Sequence, residues 1–232
     1  MGWHAKRTGG YASSSTEFED NVLSIYAVLN EVSLLEVDVW SYEAIVGLCC
    51  NIVQESGMNP WVYNGSRYGL VQTTFSHYRQ YGRDSRYYAP SLGATSTDDG
   101  AQPTDGIAQL QMIDSINGTL YSASSGRKQE ARDLDWSILE WNNLNAYKVC
   151  DDITEAIQAW LLFYEHPASL GDLTTLQHEY EIRSQNANRI IEIIGGHPIP
   201  PIPPVPPTPS RVGKMPLYMY TLKRYRQKKG LI

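Results

Sequence analysis

Eight of the thirteen prolines in this 232-residue chain fall in one stretch, His197-Pro-Ile-Pro-Pro-Ile-Pro-Pro-Val-Pro-Pro-Thr-Pro-Ser210. Proline fixes φ and lacks the N–H donor, so neither a helix nor a central strand can pass through it. A polyproline II arm is what remains; twelve residues at its rise span on the order of 35–40 Å. The run divides the chain into a body of residues 1–196, a linker of residues 197–210 and a tail of residues 211–232. Charge divides at the same place. The tail carries seven Lys and Arg and no acid, so the formal net charge of −6 is the sum of a −13 body and linker and a +7 tail.

The body has the material for a core. Hydrophobic residues make up 42% of the chain and charged residues only 19%, which excludes wholesale disorder. Sixteen Tyr and six Trp against three Phe predict many half-wet rings, each with an apolar face and a polar partner. Cys49 and Cys50 are adjacent and Cys150 is alone, which fits neither a disulfide framework nor the paired CxxC clusters of a zinc site. Buried, reduced thiols are expected, with synthesis in a reducing bacterial cytoplasm. The five His are scattered without ligand spacing, so neither a metal nor a cofactor is expected. The N-terminal residues lack the apolar core of a signal peptide, and no apolar run reaches 18 residues; stable membrane insertion is not expected.

Apolar spacing predicts helices over 16–37, with Ser15 or Thr16 as cap, and over 41–56, where Ile45, Leu48, Cys49 and Ile52 form one stripe before a stop at Gly57. Further helices are predicted near 104–118, over 151–165 and over 172–194, the last stopped by Gly195-Gly196. Asn59-Pro60 and Asn64-Gly65 are turn signals, the second flanked by aromatics as in a hairpin, and residues 70–75 read as a short strand. Ser-rich 13–16 and 122–125 read as caps and loops. The stretch 82–105 reads as loop. The expected class is α+β, mainly α, with one small β-hairpin.

Glu55 sits in the last turn of the second predicted helix, where the carbonyl end of the helix dipole disfavours a carboxylate. Trp61, Tyr63 and Tyr68 follow closely and can wall the carboxyl with rings, which raises its pKa further by desolvation. A carboxylic acid still protonated near neutral pH suits glycoside cleavage, because the leaving sugar oxygen must gain a proton as its bond breaks.

The residues Glu55-Ser56-Gly57-x-Asn59-Pro60, followed by Gly69-Leu70-Val71-Gln72, resemble the lysozyme-like superfamily of goose-type lysozymes and lytic transglycosylases. A fuller resemblance is to the phage tail lysozyme family, over roughly residues 2–195. It rests on Gly9-Gly10-Tyr11, Asn21, Ile25-Tyr26, the Gly47/Asn51/Glu55 spacing with Ser56-Gly57, and Tyr164-Glu165-His166-Pro167. The resemblance implies a lysozyme-like fold whose hairpin forms one cleft wall. It implies that Glu55 is the general acid cleaving between N-acetylmuramic acid and N-acetylglucosamine in bacterial peptidoglycan. Gln72 is the implied glycan-binding residue, with Tyr68 and Tyr63 as cleft aromatics and Glu165 as either a cleft-lining carboxylate or a structural one. The second catalytic group stays open: Asp84, Asp98, Asp99 and Asp105 are candidates, as is the substrate's own acetamido group, an exception to the two-carboxylate rule.

Lys and Arg interleaved with Tyr in the tail suit an acidic protein surface, an anionic wall polymer or, less well, nucleic acid. With the resemblance, the expectation is a virion-associated enzyme in which residues 197–232 dock on other phage tail proteins. The alternatives are a free endolysin and a structural tail protein that binds glycan without cutting.

Overall fold

The computed structural model describes residues 3–6, 9–30, 40–64, 67–74, 104–115, 121, 123–165 and 172–196. The elements run α1 (Thr16–Asn30), α2 (Tyr42–Ser56), β1 (Tyr63–Asn64), β2 (Arg67–Tyr68), β3 (Thr73–Thr74), α3 (Thr104–Ser115), α4 (Ser125–Asp133), α5 (Leu144–Tyr147), α6 (Ile153–Trp160), a π-helical turn (Leu161–Glu165), α7 (Leu173–Ser184) and α8 (Ala187–Gly196). The protein is mainly helical. The proline arm and basic tail, residues 197–232, lie outside the described residues, as does most of the 82–105 loop.

Helix α2 is the axis of the fold. Ser41 caps its N-terminus by accepting from Ala44 N–H at 3.1 Å. Nine successive residues, Ala44 to Ile52, are buried, so the single apolar stripe expected for this helix is corrected to burial all round, as befits a helix inside a core. Helices α1, α6, α7 and α8 all pack against it, α6 most extensively. The approach of α6 depends on Gly47, where a Cβ would lie 2.5 Å from the Cβ of Ala156 and 2.8 Å from its backbone. Asn51, one turn on, donates to Ile157 O of α6 at 3.3 Å and to Gly47 O at 2.9 Å. Gly47, Asn51 and Glu55 thus share one face at i, i+4, i+8, and that face receives α6.

Behind α6 lies an aromatic cluster of Trp40, Tyr121, Tyr147, Trp160 and Phe163, with ring centroids 5.2–6.4 Å apart. Asp114 ties it down, accepting from Trp40 Nε1 at 2.8 Å and pairing with the buried Lys148 at 2.7 Å. Cys49, Cys50 and Cys150 are free and buried, and burial pushes Cys50 and Cys150 up to about 12.

Several boundaries differ from expectation. For the helices expected over 16–37 and 104–118, residues 31–37 and 116–118 lie outside the described residues. The 151–165 helix changes to π geometry after Trp160. The 172–194 helix is two helices broken at Gln185–Asn186, because Ser184 and Asn186 turn their side chains back onto the carbonyls of Glu181, Ile182 and Arg183. Residues 70–72 are turn rather than strand. Gln72 has φ 45°, and among the described residues of this stretch Thr73–Thr74 alone pair, with Arg67–Tyr68; Phe75 lies outside them. β1 pairs antiparallel with β2, Tyr63 opposite Tyr68. Helices α4 and α5, which apolar spacing does not signal, begin at side-chain caps, Ser124 and Asn143.

Candidate active site

The turn after α2 is built from backbone contacts that only glycine permits. Gly57 caps the helix in the left-handed region, φ 58°, and its N–H bonds Val53 O at 2.9 Å. Gly10 lies against it: a Cβ on Gly57 would fall 2.5 Å from Gly10 Cα, and one on Gly10 would fall 2.6 Å from Gly57 Cα. Tyr11 N–H then bonds Gly57 O at 2.9 Å. Two buried asparagines complete the clamp. Asn59 accepts from Lys6 N–H and Trp61 N–H and donates to Lys6 O and Gly9 O, while Asn21 donates to His4 O and Met58 O. Gly9-Gly10-Tyr11, Asn21 and Asn59, far apart in sequence, therefore act together to hold the chain end of α2 against the N-terminal strap.

Glu55 projects from that last turn with its side chain 21% exposed. Arg183 of α7 reaches it, Nη2 lying 3.0 Å from Glu55 Oε1, and the same guanidinium pairs through Nη1 with Glu179 one turn earlier. Arg183 is buried, and its Nε has no acceptor among the described residues. Burial raises the Glu55 carboxyl above the ordinary carboxylate range and Glu179 adds to the rise; the charges of Arg183 and Arg67 oppose it.

Glu165 interacts electrostatically with Glu55. It ends the π turn that follows α6, half-buried, and Oε1 accepts from Trp160 Nε1 at 2.9 Å. Burial and the charge of Glu55 raise its carboxyl well above the ordinary range, against the pull of Arg183, the Trp160 hydrogen bond and Arg67.

Gln72 is buried and its amide is spent locally, donating to Gly69 O at 2.9 Å and Val62 O at 3.3 Å. The turn it holds is also fixed by Gln109 of α3, which accepts from Leu70 N–H at 2.8 Å and donates to Pro60 O. The backbones of Tyr63 and Tyr68 face each other across the sheet; their side chains lie outside the described residues, as do Asp84, Asp98, Asp99 and the side chain of Asp105. Among the described residues no cluster of His, Cys, Asp or Glu could hold a metal ion, and no helix is long and apolar enough to cross a membrane.

The structure thus brings Glu55 and Glu165 into one electrostatic unit with three residues that no sequence motif singles out: Arg183, Glu179 and Arg67. A family model described as phage tail lysozyme matches residues 33–194. The chain belongs to the phage tail lysozyme family. No curated protein matches the sequence. Membership makes it a phage lysozyme-like hydrolase of the glycosidase type that acts on peptidoglycan. The match ends within α8, before the proline run.

Proposed function

We propose that this phage tail lysozyme is a virion-associated muramidase that opens the β-1,4 bond between N-acetylmuramic acid and N-acetylglucosamine, letting the tail pass the host wall. The observation that carries the proposal is Glu55: a carboxyl fixed at a capped helix end, partly exposed and biased by burial toward the protonated form. Protonated Glu55 gives its proton to the bridging oxygen as the C–O bond breaks; the N-acetylglucosamine hydroxyl leaves and Glu55 is left as a carboxylate. Arg183, 3.0 Å away, stabilises that carboxylate. The anomeric carbon is then captured either by water or by a hydroxyl of the muramic acid itself.

Gln72 serves the substrate through shape, since its amide holds the turn between Val62 and Gly69. Tyr63 and Tyr68, paired across the sheet, are proposed to offer rings to the glycan. Residues 197–232 are proposed to tether the enzyme to other tail proteins, the proline arm holding the +7 tail away from the acidic body. A zymogram of wild type against Glu55→Gln tests the chemistry: equal clearing by both removes Glu55 as the acid. Mass spectrometry of the released glycan ends identifies the bond and the capturing group. The same method applied to purified virions tests location, and absence from particles overturns the tail assignment.

A further inference from the structure

Helix α7 buries two residues, Leu176 and Arg183. The leucine is ordinary core, but a guanidinium with a side chain only 4% exposed is not, because a charge taken out of water must be paired. Arg183 is paired twice. Its Nη2 lies 3.0 Å from Glu55 Oε1, across the contact between α7 and α2. Its Nη1 donates to the side chain of Glu179, one turn back on α7, and to the Glu179 carbonyl at 3.3 Å. Its Nε has no acceptor, so among the described residues two glutamates are its ion-pair partners, one at each end of the guanidinium.

The reaction separates those two partners. Glu55 must be neutral before it acts, and a neutral Glu55 offers Arg183 no counter-charge. Glu165 of the π turn cannot stand in, because burial holds its carboxyl well above the ordinary range and it keeps its proton while Glu55 does. Arg67 of β2, the remaining charge that faces Glu55, is an exposed cation. Glu179 is the carboxylate that is left. We propose that Glu179 is a positioning residue for the proton transfer: it balances the buried Arg183 while Glu55 holds its proton, and it aims the free end of the guanidinium at Glu55 Oε1. The inference rests on Glu55 being the acid. Arginine only donates, so Oε1 faces it as an acceptor and Oε2 is the oxygen left to carry the proton to the glycosidic oxygen. When the proton has gone, Arg183 is shared between two carboxylates. Glu179 acts through Arg183 and not on the sugar.

The test is the pH dependence of lysis by the full chain on purified cell-wall sacculi, with folding followed by thermal melting. At low wall concentration the alkaline limb reports the acid of the free enzyme. Glu179→Gln keeps the shape and removes the charge; Glu55 becomes the counter-ion that Arg183 lacks and ionises more readily, so the limb is expected to fall by roughly 0.5–1 pH unit. Glu179→Asp, which withdraws the charge by one methylene, is expected to move the limb the same way by less, and it decides if Glu179→Gln does not fold. A folded variant that loses rate at every pH with its limb in place has lost only a structural contact, and that result overturns the proposal. In an Arg183→Met background, Glu179→Gln is expected to move the limb by less than half as much. An equal movement there means direct repulsion between the two glutamates and also overturns the role. Glu55→Gln is the control for the underlying reading: full activity removes Glu55 as the acid, whereas an inactive Glu55→Gln with an unmoved Glu179→Gln limb overturns the role of Glu179 and leaves that reading intact.

Discussion

Two glutamates close two packed helices in this protein, and the helices close differently. Helix α2 ends at a left-handed glycine, Gly57, clamped by the N-terminal strap, and delivers Glu55 to the surface edge within reach of Arg183. Helix α6 ends without a glycine, widens into a π turn and folds Glu165 back on its own Trp160. Burial raises both carboxyls. What separates them is the cation: Glu55 has a charge-assisted bond to Arg183, while the Glu165 bond is to a neutral indole. The difference suits Glu55 to give up a proton and then stand as an anion, and suits Glu165 to resist ionising. The largest expected effect breaks this comparison outright. Glu55→Gln is expected to lower the lytic rate on the order of 10²- to 10⁴-fold, whereas Glu165→Gln, assayed at its own optimum pH, keeps most of it. Turbidity loss of wall suspensions measures both; equal losses would mean that both carboxyls are required for the reaction.

The next effect concerns the closure itself. Gly57→Ala places a Cβ at φ 58° and 2.5 Å from Gly10 Cα, so the residue is strained and the strap must move. A loss of about 2–3 kcal/mol is expected, seen as a melting temperature lower by about 5–10 °C. Gly47→Ala acts on the other helix of the comparison. Its Cβ meets Ala156 at 2.5 Å, and overpacking there costs about 1–3 kcal/mol while pushing α6 from α2. Thermal melting measures both losses.

The legible part of the site was the part written in local sequence. Glu55 is followed at once by its glycine cap, and Gly47, Asn51 and Glu55 repeat at helical spacing, so the helix end and its face could be read directly. The clamp was legible only as separate motifs. Nothing local in Gly9-Gly10-Tyr11 says that its partner is Gly57. Arg183 was not legible at all. It lies 128 residues from Glu55, on a helix whose buried residues are Leu176 and Arg183 alone, so apolar spacing carries no message about which way that arginine points. Helix α4 was missed for a related reason: SGRKQEARD holds one apolar residue, Ala131, and a helix with no stripe has no period to detect. Gln72 enters the sequence reading as an implied glycan-binding residue, but its positive φ and its amide bonds to Val62 O and Gly69 O depend on a turn that β-propensity at residues 70–75 disguised as a strand.

The smallest expected effect is on stability rather than rate, and it sharpens the contrast between the two carboxyls. Both have folded-state pKa values raised above the ordinary value of 4.5, so the folded protein binds protons more tightly than the unfolded chain. For a raised carboxyl the stabilising contribution is present in full below the unfolded value and is lost as pH rises through the folded one. The fold is therefore expected to lose stability as pH rises from about 4.5, with Glu165, raised well above that value, contributing more than Glu55, whose rise Arg183 opposes. Glu165→Gln cannot ionise and so removes the larger contribution. Its melting temperature is expected to fall less steeply with rising pH than that of wild type, the two curves meeting in acid and separating toward neutrality. Glu55→Gln is expected to flatten the curve less, because part of what Glu55 loses by burial it recovers from Arg183. Parallel curves for wild type and Glu165→Gln would mean that Glu165 titrates as an ordinary surface carboxyl, and the distinction between the two helix ends would then rest on geometry alone.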